Sequence, residues 1–478
     1  MQTGRLSHRG KRIPVRFAIV FKYGGAAHRR DKVAGRSILA GMTTVTIDDV
    51  LTRAGTGRFQ RRLLGIFGFV WAADAMQVLA VGFTAPSIAA SFGLTVPQAL
   101  QTGTLFFLGM LLGAYGFGKL ADRIGRRRVL LMTVACDGVF GLLSVFAPSF
   151  GALLVLRFLT GAAVGGTLPV DYALMAEFLP PRSRGRWLVM LEGFWAVGTV
   201  VIALAAWIAS AWGATEAWRW LFAATALPAL VGFWLRLRVP ESAMFLLRTG
   251  RATEAKGVLD RVLRTNNQPL LGEEVALAVP ASPAATGLFS PALRRRSLLM
   301  LLVWFLVSIS YYGVFTWIPV RLASEGFGFV RGYGFILLIA LAQIPGYALA
   351  AFGVERWGRK PTLIGFLLLS AAACALFVIA RDPLLVGGSL LAMSFALLGT
   401  WGALYAFTPE LYPTESRATG MGAASAMARL GGLLAPSALA LLVAQSFTAA
   451  VALFAALLLL GAVGASLIDV ETRAKGLS

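Results

Sequence analysis

The sequence predicts an all-α membrane protein in which twelve transmembrane helices form two pseudo-symmetric six-helix bundles. The first observation behind this prediction is composition. Of the 478 residues, 58% are hydrophobic and only 14% are charged, and the mean hydropathy is +0.75. A folded soluble domain needs far more polar side chains on its surface, so this balance excludes one. The other two observations are the number of apolar segments and a repeat between the two halves of the chain.

Twelve apolar segments reach or approach the ~20 residues that a helix needs to span a bilayer. An even number of spans places both termini on the same side of the membrane. The segments are roughly 63–90, 98–120, 129–147, 151–175, 187–209, 218–238, 297–320, 332–354, 361–380, 383–408, 418–442 and 448–468.

Lysine and arginine are distributed unevenly between the two sides of the membrane. Of the 44 such residues, 38 lie in segments that share a side with the termini and 4 lie on the other side, while Arg157 and Arg429 lie within spans. By the positive-inside rule, this asymmetry places both termini in the cytoplasm. We expect an integral protein of the cell (inner) membrane. The net charge of +22 is then topological, so we expect its partner to be the lipid bilayer and not nucleic acid.

The spans divide six and six around a long hydrophilic stretch. Its segment "ATEAKGVLDRVLRT" has apolar residues at helical spacing with charges between them, which is typical of an amphipathic helix. The first 41 residues hold ten Lys or Arg against one acid, so we expect them to be disordered, or to precede the true start at Met42. The predicted division is a basic cytoplasmic tail over 1–61, an N-terminal bundle over 62–239, a cytoplasmic loop with short amphipathic helices over 240–296, a C-terminal bundle over 297–468 and a cytoplasmic tail over 469–478.

Cysteine and histidine limit the chemistry that the membrane region can carry. Cys136 and Cys374 fall in spans of opposite halves, which argues against a disulfide. His8 and His28 both lie in the N-terminal tail, so any proton coupling within the spans must use carboxylates. The sequence shows no catalytic constellation and no metal or cofactor motif. We therefore expect a protein that is not an enzyme, needs no cofactor and functions as a monomer.

Two motifs of the first half return in the second half at a single offset. "LADRIGRRR" at 120–128 returns as "GVERWGRKP" at 353–361, and "EFLPPRSRG" at 177–185 returns as "ELYPTESRA" at 410–418, each displaced by 233 residues. Two matches at one offset indicate two bundles related by a pseudo-two-fold axis, which suits rocking about a central site. The offset pairs Asp122 with Glu355, Gly125 with Gly358, Arg126 with Arg359, Glu177 with Glu410, Pro180 with Pro413 and Arg184 with Arg417.

The repeated charges lie at the cytoplasmic ends of helices. We predict that acid–arginine pairs among them, with contacts at helix termini, lock an inner gate in the outward-facing state and break when it opens. The alternative is anchoring by positive charge alone, which accounts for the arginines but not for the interleaved acids. The predicted gate residues are Gly118, which permits close helix approach, with Asp122, Arg126, Glu177, Arg184, Glu355, Arg359, Glu410 and Arg417.

The motifs together resemble one transporter superfamily. "GKLADRIGRRRVL" resembles the signature loop of the major facilitator superfamily, and "RFLTGAAVGG", "EFLPPRSRGR" and "VPESAMFL" resemble its sugar-porter and organic-ion branch. Within that branch, "WAADAMQV", "AEFLPPRSRGRWLVMLEGFWAVGTV" and "SAMARLGGLLAP" look most like the synaptic-vesicle-2-related and bacterial niacin-transporter group. The resemblance covers about residues 55–470 and implies a secondary active transporter that works by alternating access.

Two departures from the wider branch bear on the substrate. The seventh span, "WFLVSISYYGVF", lacks the paired glutamines and the asparagine of sugar porters, which argues against a sugar. The fifth span lacks the Gly-Pro-rich signature of drug/proton antiporters, which argues against export.

A carboxylate and an arginine lie within spans at similar heights. Counted at 1.5 Å per residue, Asp74 lies about 17 Å and Arg157 about 21 Å from the cytoplasmic end of a ~30 Å core. A buried carboxylate stays ionised beside a guanidinium and takes up a proton when it is moved away, so the pair predicts a proton-coupled switch. The resemblance implies the same pairing. The alternative is a static ion pair that fixes helix register.

Three further polar residues could share this role. Gln77 lies one turn from Asp74 on the same helix face and could orient it or touch substrate. Asp137, in the third span, is the rival coupling carboxylate, although the resemblance implies that this span lies away from the central cavity. Glu192, nearer the cytoplasmic mouth, could stabilise a gate or receive the proton.

Arg429 is the candidate for binding substrate. It lies about 16 Å up the eleventh span, near the midplane, with no acid within one turn. A guanidinium exposed to a cavity is a bidentate partner for a carboxylate, whereas the alternative is an ion pair with Asp74 or Glu192. Aromatic rings around one fixed cation suit a small planar organic anion. The other predicted lining residues at comparable depth are Trp195, Tyr311, Tyr312, Gln343 and Trp401.

The sequence therefore predicts a proton-coupled importer of a small organic acid, such as nicotinate or another aromatic carboxylate. Two alternatives stay open: a proton-coupled symporter of a neutral sugar or polyol, and a membrane receptor of the same fold that transports nothing.

Overall fold

A computed structural model describes residues 43–211, 216–278, 287–324, 333–438 and 446–473 of the chain. The predicted disordered segment 1–41, with both histidines, lies outside these residues. The elements in chain order are β1 (Thr43–Thr46), α1 (Ile47–Ala54), α2 (Arg58–Phe92), α3 (Val96–Ala99), α4 (Gln101–Ile124), α5 (Arg126–Val145), α6 (Phe150–Ala176), α7 (Arg184–Glu192), α8 (Phe194–Ala211), α9 (Ala217–Arg236), α10 (Ala243–Arg248), α11 (Ala252–Thr265), β2 (Val275–Ala278), α12 (Arg294–Ser324), α13 (Tyr333–Arg356), α14 (Arg359–Ile379), α15 (Pro383–Phe407), a 3-10 turn (Thr408–Leu411), α16 (Arg417–Ala438) and α17 (Phe447–Ser466).

The long helices follow the twelve predicted segments. Within the described ranges, eleven helical stretches are long and apolar enough to cross a membrane, and the fifth of them combines α7 and α8. The one span not among these eleven stretches is α16, the eleventh span in chain order, which is rich in Gly, Ala and Ser and carries Arg429. It packs against α4 of the first bundle and α12 of the second, where small side chains let helix backbones approach closely. The all-α, twelve-helix prediction is confirmed.

The two bundles meet where α4 crosses α16. A Cβ atom built on Gly118 would lie 2.6 Å from the carbonyl oxygen of Ala418, too close for any other side chain. Gly422 faces Ala114 and Gly118 in the same way. Close approach at Gly118, which the sequence predicted, therefore brings the two halves into backbone contact.

The repeat extends to backbone conformation and helix capping. Gly125 and Gly358 precede the third and ninth spans with φ of +106° and +111°, a conformation that favours glycine. Glu241 then accepts hydrogen bonds from the first two backbone N–H groups of α5, at 3.1 and 3.3 Å. Glu471 accepts from the first two N–H groups of α14, both at 3.0 Å. Each carboxylate satisfies free donors and opposes the positive end of its helix.

The starts of α5 and α14 lie on the face of the protein that carries the repeated charges, which we call the basic face. Residues 43–60 and 252–278 form a small folded unit that covers part of this face. We call this unit the clasp. In the clasp, β1 pairs in parallel with β2, from Thr43 with Val275 to Thr46 with Ala278. The predicted amphipathic helix is α11, whose buried face includes Leu259 and Val262. The strand pairing was not predicted, because each strand has only four residues and its partner is distant in sequence.

The start of α1 carries a reciprocal cap. The Thr46 hydroxyl accepts from the backbone N–H of Asp49 at 3.1 Å, and the Asp49 carboxylate accepts from the backbone N–H of Thr46 at 3.1 Å. The Thr46 hydroxyl also donates to the Asp49 carboxylate at 2.6 Å, and this bond, followed by the one from the Thr46 backbone N–H, lowers the pKa of the Asp49 carboxyl. The cap fixes where the N-terminal segment turns into its helix.

Asn266 joins the two parts of the clasp. Its amide nitrogen donates to the carbonyl oxygens of Ala54 (3.1 Å) and Gly55 (3.3 Å) and to the side chain of Gln60 (2.8 Å). Its amide oxygen accepts from the backbone N–H of Phe59 at 2.9 Å. One side chain therefore satisfies four groups of the N-terminal segment.

We expect Asn266→Ala to release the N-terminal segment from the loop, because a buried donor or acceptor left unpaired costs about 1–3 kcal/mol. Hydrogen exchange of residues 43–60 in detergent-purified protein should become faster, whereas Gln268→Ala, an exposed neighbour, should leave it unchanged. Equal exchange in the Asn266 variant and the wild type would show that other contacts hold the clasp.

Candidate functional site

A cavity lies between the two bundles, where the aromatic side chains of both converge. Glu192 and Trp195 line it from the first bundle, and the remaining lining residues come from α12, α15 and α16 of the second. The cavity is narrow in this structure, with a volume of about 20 Å³. The lining residues are Glu192, Trp195, Tyr311, Tyr312, Leu398, Trp401, Tyr405 and Arg429.

Six of the eight residues predicted to bind substrate line this cavity, and two do not. Gln77 lies deeper in the first bundle, where it bonds other side chains. Gln343 is buried on α13, and its amide oxygen has no hydrogen-bond partner among the described residues. Gln343 was predicted from its depth along a span, and equal depth does not fix the direction of a side chain. Gln77 was predicted from the helix face that it shares with Asp74, and its side chain is engaged by Arg157 and Asp137 instead.

Arg429 presents unused donors to the cavity. Its guanidinium donates to the Tyr312 hydroxyl at 2.7 Å, while its Nε has no hydrogen-bond partner among the described residues. The side chain is almost fully buried. Within the described ranges it forms no ion pair with Asp74 or Glu192, contrary to the alternative considered from the sequence. A guanidinium has five N–H donors, so most of this capacity is available to an anion.

Glu192 lies at a break in the fifth span, where α7 ends and α8 begins two residues later. Its carboxyl group accepts a hydrogen bond from the Tyr172 hydroxyl at 2.6 Å and one from the Tyr347 hydroxyl at 3.4 Å. Tyr172 belongs to the first bundle and Tyr347 to the second. Glu192 therefore lies at the bundle interface and at the cavity wall at once.

Aromatic rings close the cavity on the side of the basic face. Tyr172 and Tyr405 lie 4.3 Å apart between ring centroids, and the edge of Trp71 meets each of them at 4.9 and 5.4 Å. Trp304 packs edge-on against Trp401 (5.4 Å) and Tyr405 (4.8 Å). Sequence reasoning missed Tyr405, although it lies one turn after Trp401 on the same helix and was therefore detectable.

The predicted pairing of Asp74 with Arg157 is wrong for this conformation. Arg157 instead donates to the side-chain oxygen of Gln77 at 2.9 Å and to the backbone carbonyl oxygen of Gln77 at 3.3 Å. The three residues from Asp74 to Gln77 add about 4.5 Å of rise, which brings Gln77 to the height of Arg157. Asp74 is fully buried, and neither carboxyl oxygen has a hydrogen-bond partner among the described residues.

The other buried charges of the first bundle are already engaged. Gln77 donates to Asp137 at 3.1 Å and so links Asp137 to Arg157, whose guanidinium also lies over the ring of Phe222 at 4.5 Å. A second pair, Asp171 with Arg236, is fully buried and doubly hydrogen-bonded. Sequence reasoning missed this pair, although Asp171 lies in an apolar span and was visible. Within the described part of the chain, no group of three His, Cys, Asp or Glu side chains could hold a metal ion.

Glu177 is the centre of the charge network on the basic face. Its carboxylate contacts Arg417 of the second bundle at 2.8 Å and Arg126 of its own bundle at 3.4 Å. Arg126 also donates to the carbonyl oxygen of Thr414 across the interface at 2.6 Å. These contacts hold the two bundles together on this face, as the predicted gate requires.

Asp122 makes a second connection between the bundles. It pairs with Arg126 at 3.0 Å and accepts from the backbone N–H and the hydroxyl of Thr419, both at 2.7 Å. Thr419 belongs to the first turn of α16, whose free N–H groups favour an anion. The carboxylate therefore connects the bundles by capping a helix of the opposite bundle.

The repeated residues make the equivalent contacts in the second half. Arg359 pairs with Glu410 at 3.0 and 3.1 Å and lies 3.7 Å from Glu355. Glu355 accepts from the backbone N–H of Arg186 in the first half at 2.8 Å. All the predicted gate residues thus lie on the basic face and contact other residues there.

Arg184 and Arg417 illustrate how far the repeat holds. Each donates its Nε to a backbone carbonyl eight residues earlier, Ala176 and Pro409, at 3.1 Å. Beyond this, Arg184 pairs with Asp48 of the clasp at 3.0 Å, whereas Arg417 pairs with Glu177. The contact with Asp48 was not predicted, because it depends on the fold of the clasp.

We expect Asp122→Asn to open the closed face, because the amide loses the charge that pairs with Arg126 and caps α16. In a background with Cys136 and Cys374 replaced by alanine, a reporter cysteine at Leu398 should react faster with a membrane-impermeant maleimide added on the basic face. Loss of about 1–2 kcal/mol corresponds to a rise of roughly 5- to 30-fold. Asp382→Asn, which neutralises the capping carboxylate at the outer end of α15, is the matched control. Unchanged labelling with Asp122→Asn would favour the anchoring alternative.

Comparison with known protein families gives one match over most of the chain. Residues 94–478 match the family described as Sugar (and other) transporter. The niacin transporter NiaP of Acinetobacter baylyi is 38% identical over 80% of this chain and 86% of its own length. The putative niacin/nicotinamide transporter NiaP of Bacillus subtilis is 34% identical over 87% of this chain and 97% of its own length. The synaptic vesicle 2-related protein of Xenopus laevis is 32% identical over 91% of this chain and 82% of its own length.

Solved structures share the fold at low sequence identity. The proton:xylose symporter XylE, solved with 6-bromo-6-deoxy-D-glucose, superimposes with a TM-score of 0.72 at 19% identity, covering 87% of this chain and 97% of the symporter. The human organic anion transporter MFSD10 superimposes with a TM-score of 0.61 at 18% identity, covering 85% of this chain and 99% of that transporter.

Proposed function

We propose, from the premise that this chain belongs to the Sugar (and other) transporter family of the major facilitator superfamily, that it imports a small aromatic carboxylate together with protons. As a member of the family it is an integral membrane protein and a secondary transporter, not an enzyme. The substrate, the coupling ion and the residues that carry them are our proposal.

The observation that carries the substrate class is the position of Arg429. Its unused donors lie in a cavity walled by aromatic rings, where a planar acid can place its carboxylate on the guanidinium and its ring between the aromatic faces. The niacin named for the two bacterial relatives is an acid of this class. A neutral sugar or polyol has no group that requires a fixed cation.

Proton coupling is supported by the pairing of buried charges in the first bundle. In the described part of the first bundle, the Arg236 guanidinium pairs with Asp171 and the Arg157 guanidinium bonds Gln77, so neither of them hydrogen-bonds Asp74. An ionised carboxylate without a partner in a dry site costs several kcal/mol, so Asp74 is the group that holds a proton here. Asp137, the rival, is hydrogen-bonded through Gln77 and has less need of one. We propose that Asp74 releases its proton when the bundles rock and water reaches it.

The charge asymmetry supports the proposed orientation, and import is the direction of transport that we propose. With the basic face in the cytoplasm of an inner-membrane protein, the network around Glu177 is the inner gate. Substrate and proton would enter from outside, and opening of the gate would release both inward. The proposed unit is a monomer, and its partners are the substrate, protons and the lipid bilayer.

A thermal-shift comparison of the purified protein tests the substrate class. Nicotinate and benzoate should raise the melting temperature in a concentration-dependent way, because a ligand that binds only the folded state stabilises it by mass action. Xylose and glucose should not. Stabilisation by the sugars and not by the acids would replace this assignment with the neutral-substrate alternative.

A further inference from the structure

We propose that Glu192 binds the ring nitrogen of the transported acid, so that the cavity selects pyridine carboxylates over plain benzoates. This inference rests on the proposed function, in which Arg429 holds the carboxylate of the same substrate. It assigns the second polar group of the cavity and narrows the substrate from aromatic acids to those with a nitrogen in the ring.

The cavity carries its two charged side chains at separate points. Glu192 enters from the first bundle and Arg429 from the second, and within the described ranges they form no ion pair. Each is held by tyrosine hydroxyls, Arg429 by Tyr312 and Glu192 by Tyr172 and Tyr347. Because these contacts fix both groups before substrate arrives, the cavity suits a rigid molecule with one polar group towards each of them.

Aromatic side chains line the same cavity as these two polar groups. The rings of Trp195, Tyr311 and Trp401 line the cavity, and Trp401 and Tyr311 meet edge-on at 5.9 Å between centroids. Once the cavity opens wide enough to admit it, a flat six-membered ring can pack against such side chains. A ring with a carboxylate on one side and a nitrogen away from it would place the carboxylate on Arg429 and direct the nitrogen towards Glu192.

The chemistry of this contact requires one proton, in either of two equivalent arrangements. A protonated Glu192 carboxyl donates to a neutral ring nitrogen, or an ionised carboxylate accepts from a pyridinium N–H. In both cases one proton lies between a carboxyl oxygen and the nitrogen, and no other co-reactant is needed. Benzoate offers a C–H group at the same place and leaves the carboxyl group without that partner in a dry site.

A site that forms a hydrogen bond to its ligand discriminates strongly against an analogue that lacks the group. A buried group left unpaired typically costs the equivalent of roughly 5- to 150-fold in affinity. We therefore expect the full-length wild-type protein to bind nicotinate 5- to 150-fold more tightly than benzoate. Pyridine-2-carboxylate, whose nitrogen is adjacent to the carboxylate, should bind like benzoate because its nitrogen faces Arg429.

Isothermal titration of purified variants with these three acids tests whether Glu192 causes the preference for nicotinate. Glu192→Leu should lower nicotinate affinity to the benzoate level and leave benzoate affinity within about threefold of wild type. Glu192→Gln, whose amide can still donate to a ring nitrogen, should keep part of the preference. Glu254→Gln, a carboxyl-to-amide change on the exposed face of the clasp, should keep all of it.

The proposal is wrong if the wild type binds nicotinate and benzoate equally, or if Glu192→Leu keeps the nicotinate preference. If the leucine variant does not fold, the three-acid series in the wild type still decides, since equal affinities refute the assignment and the predicted order supports it. Failure of the underlying function looks different, because none of the three acids would then bind the wild type.

Discussion

Replacement of Arg429 by alanine is expected to weaken nicotinate binding by at least tens-fold. The substrate carboxylate loses its water in a narrow cavity and needs a fixed cation to replace it. Loss of one partner of a buried charged pair typically costs about 2–5 kcal/mol, and about 1.4 kcal/mol corresponds to tenfold in affinity. Titration of the purified variant with nicotinate measures the change directly.

Two comparisons distinguish binding of the substrate carboxylate by Arg429 from a purely structural role of this residue. Arg429→Lys should restore only part of the affinity, because lysine keeps the charge but loses the planar fork of donors. Nicotinamide, which has no carboxylate, should lose much less affinity than nicotinate on Arg429→Ala. If the alanine variant binds nicotinate as tightly as wild type, or weakens the acid and the amide equally, the neutral-substrate alternative replaces the organic-anion assignment.

Replacement of Asp74 by asparagine is expected to abolish accumulation driven by a pH gradient. The neutral amide resembles the protonated carboxyl group, so binding and counterflow exchange of substrate should persist in part while net proton-driven uptake stops. The contrast between counterflow and gradient-driven uptake in proteoliposomes is the measurement, since a misfolded protein would lose both.

Asp137→Asn provides the matched control for this result. Asp137 accepts a hydrogen bond from Gln77, and an asparagine oxygen can accept the same bond. Gradient-driven uptake should therefore survive this change at a reduced rate. Wild-type accumulation by Asp74→Asn together with its loss in Asp137→Asn would transfer the coupling role to Asp137.

The features that the sequence predicted well are those with a regular spacing. Spans follow from the length of apolar runs, and the 233-residue offset between Glu177 and Glu410 follows from duplication. The same offset led to the charge network on the basic face, because matching motifs in two equivalent bundles meet at their common axis. The aromatic residues with Arg429 were also found, since depth along a span can be counted.

The features that the sequence did not predict depend on direction about a helix axis or on contacts between distant segments. Counting along a span gives the height of Arg157 but not the neighbour that its guanidinium contacts. The guanidinium therefore bonds Gln77 and not Asp74, which was the predicted partner. The clasp was missed because four-residue strands carry no pattern of their own. Glu241 and Glu471 were missed as helix caps because their partners lie more than a hundred residues away.

Uptake of radiolabelled nicotinate into proteoliposomes under an imposed acid-outside gradient tests the central claim most directly. We expect accumulation above the level of protein-free liposomes and of liposomes with Asp74→Asn, prevented by excess benzoate and unaffected by excess xylose. Uptake that is independent of the gradient would contradict proton coupling. Competition by xylose but not by benzoate would contradict the transport of an aromatic acid.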